Sequence, residues 1–89
     1  MKIQYDPDFL RLLKKVNIRI RKSLRQKIEI FLKNPDEPSL NNHALRDKYE
    51  GYKSIDITAD WRAIYEEFGE NGELIAYFVD LGTHKELYG

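Results

Sequence analysis

At 89 residues the chain is long enough for one domain with a modest core and too short for two. Its 42% apolar and 34% charged content is that of an ordinary globular protein, which excludes a disordered tail. The absence of cysteine excludes disulfides, thiol nucleophiles and thiolate metal sites together.

A net charge of zero conceals two unlike parts. Residues 1–34 carry ten Lys/Arg against three Asp/Glu, and residues 35–89 carry five against twelve, giving +7 and −7. Such asymmetry suggests a basic surface for nucleic acid or an acidic partner, or simply a solvated charged helix. The longest apolar runs fall far short of the about 20 residues that a membrane span needs, and no signal peptide is visible. A cytoplasmic location without a membrane partner is expected.

Taken in order, Lys2 to Tyr5 alternates polar and apolar residues and predicts a short first strand. Asp6-Pro7 then supplies an N-cap and a first-turn proline. The helix they open carries Phe9, Leu10, Leu13 and Val16 at helical spacing. Asn17 offers a second N-cap. From Ile18 to Asn34 a longer helix places Ile20, Leu24, Ile28 and Phe31 on one face and Arg19, Arg21, Lys22, Arg25 and Lys27 largely elsewhere. Pro35 ends it, since the residue before a proline is pushed out of helical geometry.

Pro35 to Asn42 reads as a polar loop, and His43 to Tyr49 as a short or irregular edge strand. Gly51 marks a turn, after which Ile55 and Ile57 alternate with Ser54, Asp56 and Thr58 as in a half-buried strand. Ala59-Asp60 is a turn and Trp61 to Phe68 a further strand. Asn71-Gly72 is a hairpin signal, because both residues tolerate the positive φ of a tight turn. Leu74 to Leu81 is a nearly unbroken apolar run that predicts a buried strand, stopped by Gly82-Thr83. Thr83 with Glu86 three places on fits a capping box, so His84 falls in the first turn of a short terminal helix. A helix start of this kind attracts phosphate. The predicted class is α+β: an N-terminal strand and helical hairpin packed on a mostly antiparallel sheet of about four strands, with a short C-terminal helix.

No Walker loop, dinucleotide turn, His-Glu-x-x-His or nucleophile elbow is present. Two histidines among scattered carboxylates match no usual metal-ligand spacing, so neither a metal nor another cofactor is expected. What remains sits at strand and helix ends: His43, Asp60-Trp61-Arg62, and His84 with Tyr88. This set suits RNA cleavage by the RNA's own 2′-hydroxyl, which needs a base, an acid and positive charge at the phosphate. Histidine serves either proton transfer near neutral pH. Arg62 has the fork geometry for phosphate oxygens, and Trp61, Tyr88 and Tyr52 offer faces for unpaired bases. Each residue also has a structural reading: Trp61 as core, Asp60 as turn former, Arg62 as an exposed strand residue, Tyr88 as helix packing, His43 as a loop residue and His84 as a solvated surface residue.

The run His43-Ala44-Leu45, the stretch from Gly51-Tyr52 through Asp60-Trp61 to Ile64-Tyr65, and the ending Gly82-Thr83-His84-Lys85-Glu86-Leu87-Tyr88-Gly89 together resemble the RelE/ParE superfamily of bacterial toxins, and within it the YafQ-like branch. The motif match covers residues 43–89, and the helical half agrees in pattern.

The resemblance implies a RelE-like fold and the toxin of a type II toxin-antitoxin pair. It implies a ribosome-dependent, metal-independent endoribonuclease that cuts mRNA in the ribosomal A site and forms a heteromeric complex with a cognate antitoxin. His43, Asp60 and His84 match positions implicated in proton transfer, with His84 as general acid and the base left between His43 and Asp60. Trp61 and Tyr88 match aromatic positions of the pattern. Arg62 corresponds to a phosphate-contacting arginine of the wider RelE group. Arg19, Arg21, Lys22, Arg25 and Lys27 are the expected contacts with 16S ribosomal RNA.

Two residues depart from the YafQ-like pattern. Asp56 stands where it has a second strand histidine, and Asp80 where it has an arginine two residues before Gly-Thr-His. Asp56 can accept a proton, but Asp80 cannot stabilise a phosphorane. Both add negative charge and leave Arg62 as the remaining cation. Two other functions stay open at this point: a ParE-like gyrase inhibitor without nuclease activity, whose chains generally lack this histidine set, and a weakened homologue that retains only antitoxin binding.

Overall fold

Asp6 accepts a hydrogen bond from the Asp8 N–H at 2.8 Å and, with Pro7 next to it, starts helix α1 (Pro7–Lys15) directly after strand β1 (Lys2–Tyr5). In this computed structural model, which describes residues Met1–Gly89, Asn17 caps helix α2 (Ile18–Lys33) in the same way through the Arg19 N–H. A 3₁₀ turn (Pro38–Leu40) leads to strand β2 (His43–Ala44), and a second one (Asp47–Tyr49) to strand β3 (Lys53–Asp56). Strands β4 (Trp61–Glu70) and β5 (Glu73–Thr83) form the long hairpin, and helix α3 (His84–Tyr88) ends the chain. Asn71 and Gly72 turn that hairpin with φ of 52° and 78°, as the Asn-Gly pair requires.

The sheet has five strands in the order β1-β5-β4-β3-β2. β1 runs parallel to β5, and all other pairs are antiparallel. The fifth strand is β2, shorter than the segment expected to pair there, because the chain turns away into the 3₁₀ turn at Asp47. Gly82-Thr83 does not stop β5 as expected. The pair continues it, Gly82 opposite Arg62 and Thr83 opposite Trp61.

One face of the sheet is covered by α1 and α2. Phe9, Leu24, Ile28 and Phe31 meet Ile55, Ile57, Ala63, Tyr65, Ala76, Phe78 and Leu81 there in one core. Phe31, Tyr65 and Phe78 form its aromatic centre, with ring centroids 5.1 to 5.9 Å apart. Leu40, expected in a polar loop, is fully buried in the same core. Leu10 instead lies 43% exposed, at the edge of the stripe it was read into.

The apolar run of β5 has a specific consequence. Strict alternation from Ala76 and Phe78 would send Asp80 into the core. A bulge prevents this: Tyr65 pairs with Phe78 and Ile64 with Asp80, leaving Val79 as the extra residue. Leu81 then takes the core side, and Asp80 turns to the face opposite the helical hairpin.

Candidate active site

That opposite face carries a row of cross-strand partners, His43, Ser54, Ile64 and Asp80, each in register with the next. Directly paired residues project from the same side of a sheet, so His43 and Asp80 share this face. Asp56, Arg62 and Gly82 form the next row on the same side. Helix α3 lies over it. A methyl group at Gly82 would sit 3.3 Å from Leu87 side-chain atoms and from Glu86 Oε1, a tight contact, so glycine gives α3 room for this approach.

α3 starts with the expected capping box: Thr83 Oγ1 accepts from the Glu86 N–H at 3.1 Å and Glu86 Oε1 from the Thr83 N–H at 2.8 Å. The His84 N–H donates to the Asp60 carbonyl at 2.9 Å, joining the β3–β4 turn to the helix. Thr58 Oγ1 shapes that turn by accepting from the Trp61 N–H at 3.1 Å. The Tyr88 ring packs edge-on against the His84 imidazole, centroids 4.8 Å apart, and its hydroxyl donates to Ser54 Oγ at 3.2 Å. Ser54 is fully buried and pairs with His43. The structure therefore brings His43, Asp60, His84 and Tyr88 to one end of one sheet face, with both imidazoles exposed.

His43 is held by its neighbour. Asn41 adopts a left-handed conformation, φ 46°, and its carbonyl lies 2.7 Å from His43 Nδ1. A carbonyl only accepts, so Nδ1 carries the proton and the Nε2 lone pair of the neutral ring points elsewhere.

Arg62 is committed to the fold. Its side chain is 16% exposed, Nε lies 2.9 Å from Asp56 Oδ1, and one terminal N–H group donates to the Thr58 and Trp61 carbonyls at 3.0 and 3.1 Å. The ion pair rests on proximity, since Asp56 Oδ1 is buried and accepts no aligned hydrogen bond. Asp80 is occupied too. Its Oδ2 accepts from the Tyr49 hydroxyl at 3.1 Å and its Oδ1 from the Leu81 N–H at 2.9 Å. Burial, reinforced by the Asp80 carboxylate, pushes the Tyr49 hydroxyl up to about 12.

The remaining expected residues lie elsewhere. Trp61 sits on the core side and packs against the hydrophobic cluster. Arg19, Arg21, Lys22 and Arg25 are exposed and Lys27 is half-buried on α2, across the sheet from the histidines. Arg21 and Arg25 border a groove of about 250 Å³ that is also lined by Tyr5, Leu13, Leu24, Ile28 and Glu29. No three His, Asp or Glu side chains gather into a group able to hold a metal ion, and no helix is long and apolar enough to cross a membrane.

Four residues of this face escaped sequence reasoning: Ser54, Tyr49, Arg46 and Lys48. Ser54 had a signal, since its alternation with Ile55 assigns it to the polar face beside Asp56. Tyr49 and its basic neighbours had none, lying in a segment without period.

A helical hairpin on one face of such a sheet, with a capped terminal helix on the other, is the fold of the RelE-superfamily toxins. Over residues 1–89 the chain matches the family model "Bacterial toxin of type II toxin-antitoxin system, YafQ", and it belongs to that family. It is similar in structure to YafQ from Escherichia coli strain BL21(DE3), with a TM-score of 0.79, 23% identity, and 99% of this chain and 98% of that one covered. The YoeB/ParE toxin from Agrobacterium tumefaciens aligns with a TM-score of 0.74 and 20% identity over 94% of this chain and 99% of that one. A chain of the E. coli DinJ-YafQ toxin-antitoxin complex aligns with a TM-score of 0.59 and 25% identity over 99% of this chain and 97% of that one. No curated protein matches in sequence.

Proposed function

We propose that this toxin is an endoribonuclease that cuts mRNA in the ribosomal A site. The observation that carries the reading is the link between its only two histidines on one side of the sheet: Tyr88 touches the His84 ring and bonds Ser54, the strand partner of His43. In the reaction a base takes the 2′-hydroxyl proton and the 2′-oxygen attacks the adjacent phosphorus. The bond to the 5′-oxygen breaks, and an acid protonates that oxygen. His84 is the acid. The base is His43 or Asp60, and the free Nε2 lone pair of His43 favours the first. Trp61 supports the turn that carries Asp60, and Tyr88 supplies an aromatic edge for an unpaired base. No step needs a metal or cofactor.

The exposed cations of α2, Arg19, Arg21, Lys22 and Arg25 with Lys27, are the surface for ribosomal RNA. The partner in the cytoplasm is a cognate antitoxin, as the E. coli complex suggests, with a segment that folds upon the toxin. The pairing of Arg62 with Asp56 favours one rival, a weakened homologue that keeps only antitoxin binding.

The test is cleavage of a programmed mRNA by purified protein with ribosomes, comparing wild type with His84→Ala and using free RNA as control. Cuts at A-site codons that require both ribosomes and His84 are expected. Intact mRNA with folded wild-type protein would sink the nuclease reading, and gyrase binding would then be examined.

A further inference from the structure

Residues 35–89 contain five Lys/Arg, and their commitments differ. Arg62 is paired with Asp56 at 2.9 Å, and Lys53 with Glu67 at 3.2 Å. Arg46, Lys48 and Lys85 are exposed and pair with no carboxylate. Two of these three, Arg46 and Lys48, line one open cleft of about 340 Å³ together with Asp47, Tyr49 and Tyr88. Its aromatic wall is fixed: Tyr49 and Tyr88 meet edge to face at 6.0 Å, Tyr49 is tied to Asp80, and Tyr88 to Ser54. Lys48 Nζ lies 5.2 Å from the Tyr49 ring centre. Among the lining residues Asp47 offsets one of the two charges, while the Asp80 carboxylate behind the wall is occupied by the Tyr49 hydroxyl and the Leu81 N–H.

We propose that this cleft is the subsite for the nucleotide flanking the cut, with Arg46 and Lys48 holding a backbone phosphate and Tyr49 and Tyr88 taking the base. Exposed cations beside fixed rings are the pairing that single-stranded nucleic acid requires: charge follows the backbone, and a ring accepts any base. The position fits, because Tyr88 is shared between the cleft and the His84 ring. A nucleotide there carries its neighbouring phosphate toward the histidines. It also places positive charge on this face, where Arg62 is unavailable. The assignment deepens the nuclease reading and rests on it for the identity of the strand.

The experiment titrates isotope-labelled protein with a 2′-O-methylated RNA trinucleotide, which cannot be cut, and follows backbone amide shifts. Shifts at Arg46, Lys48, Tyr49 and Tyr88 are expected. The double variant Arg46→Ala/Lys48→Ala should bind about tenfold more weakly at low salt, with the slope of log K against log salt reduced by about 0.7, the value for one phosphate on a single strand. Lys2→Ala, on β1, should bind as wild type. Shifts confined to α2, or wild-type affinity and salt slope in the double variant, would overturn the subsite. The same variants are assayed on programmed ribosomes. If wild type fails to cut mRNA yet binds the trinucleotide through Arg46 and Lys48, the cleft stands and the nuclease reading falls. If the double variant cuts as fast as wild type at limiting enzyme, the cleft falls and the nuclease reading stands.

Discussion

The Tyr88 hydroxyl donates to Ser54 Oγ at 3.2 Å, so the last helical residue of α3 is fastened to a buried side chain of β3. A five-residue helix has little stability of its own, and its placement comes from contacts such as this one, the capping box and buried Leu87. Tyr88→Phe removes only the hydroxyl. The fold should persist, with a stability loss of about 1 kcal/mol. Cleavage should fall about tenfold because His84 loses its backing. Denaturant melts alongside ribosomal cleavage assays check both. Unchanged cleavage would show that Tyr88 does not position His84.

Gly82 gives an independent route to the same helix. In Gly82→Ala the new methyl group meets the Leu87 and Glu86 side chains at 3.3 Å, so these side chains, and α3 where they cannot move, must give by a few tenths of an ångström. Thermal stability should drop modestly, by about 1 to 2 kcal/mol, while cleavage drops further than in Tyr88→Phe. Activity near wild type would mean that the helix tolerates displacement.

Much of this architecture could be read in advance, and the failures have physical causes. Both N-caps, the Asn-Gly hairpin and the Thr83–Glu86 box are local devices whose geometry involves residues within three places of each other, so their residue types announce them. Leu40 was missed because its burial depends on how the loop after α2 folds back, which no period records. The bulge at Val79 was invisible for a related reason. It reconciles Asp80 with a buried strand, but only the pairing with β4 shows where the extra residue falls. In the candidate site, the end-of-element positions of His43, Asp60, His84 and Tyr88 were legible. The engagement of Arg62 by Asp56 was not: the two residues lie on neighbouring strands, and only the register makes them partners.

That ion pair yields a stability prediction. Arg62→Met leaves the Asp56 carboxylate partly buried without its partner, at a cost of about 3 kcal/mol. Asp56→Asn leaves Arg62 with two carbonyl acceptors and should cost about 1 kcal/mol. Denaturant unfolding of the two single variants and the double variant measures the coupling. A double variant that loses as much as the two single variants added together would show that the pair contributes no more than its separate contacts.

Alkaline unfolding should be governed by buried tyrosine. Tyr65 is 1% exposed, and its hydroxyl donates to Asn42 Oδ1 at 3.1 Å and accepts from Asn42 Nδ2 at 2.8 Å. Burial pushes its pKa up to about 12 from an ordinary value of 10.0. The folded state thus holds a proton that the unfolded chain releases first. The resulting stabilisation is complete below pH 10.0 and is lost as pH rises toward about 12. Tyr49, also raised to about 12, acts in the same direction. Tyr65→Phe should therefore lower stability at neutral pH by about 1 kcal/mol and flatten the decline between pH 10 and 12. Denaturant melts across that range test the sign: a decline as steep in Tyr65→Phe as in wild type would place the titrating group elsewhere.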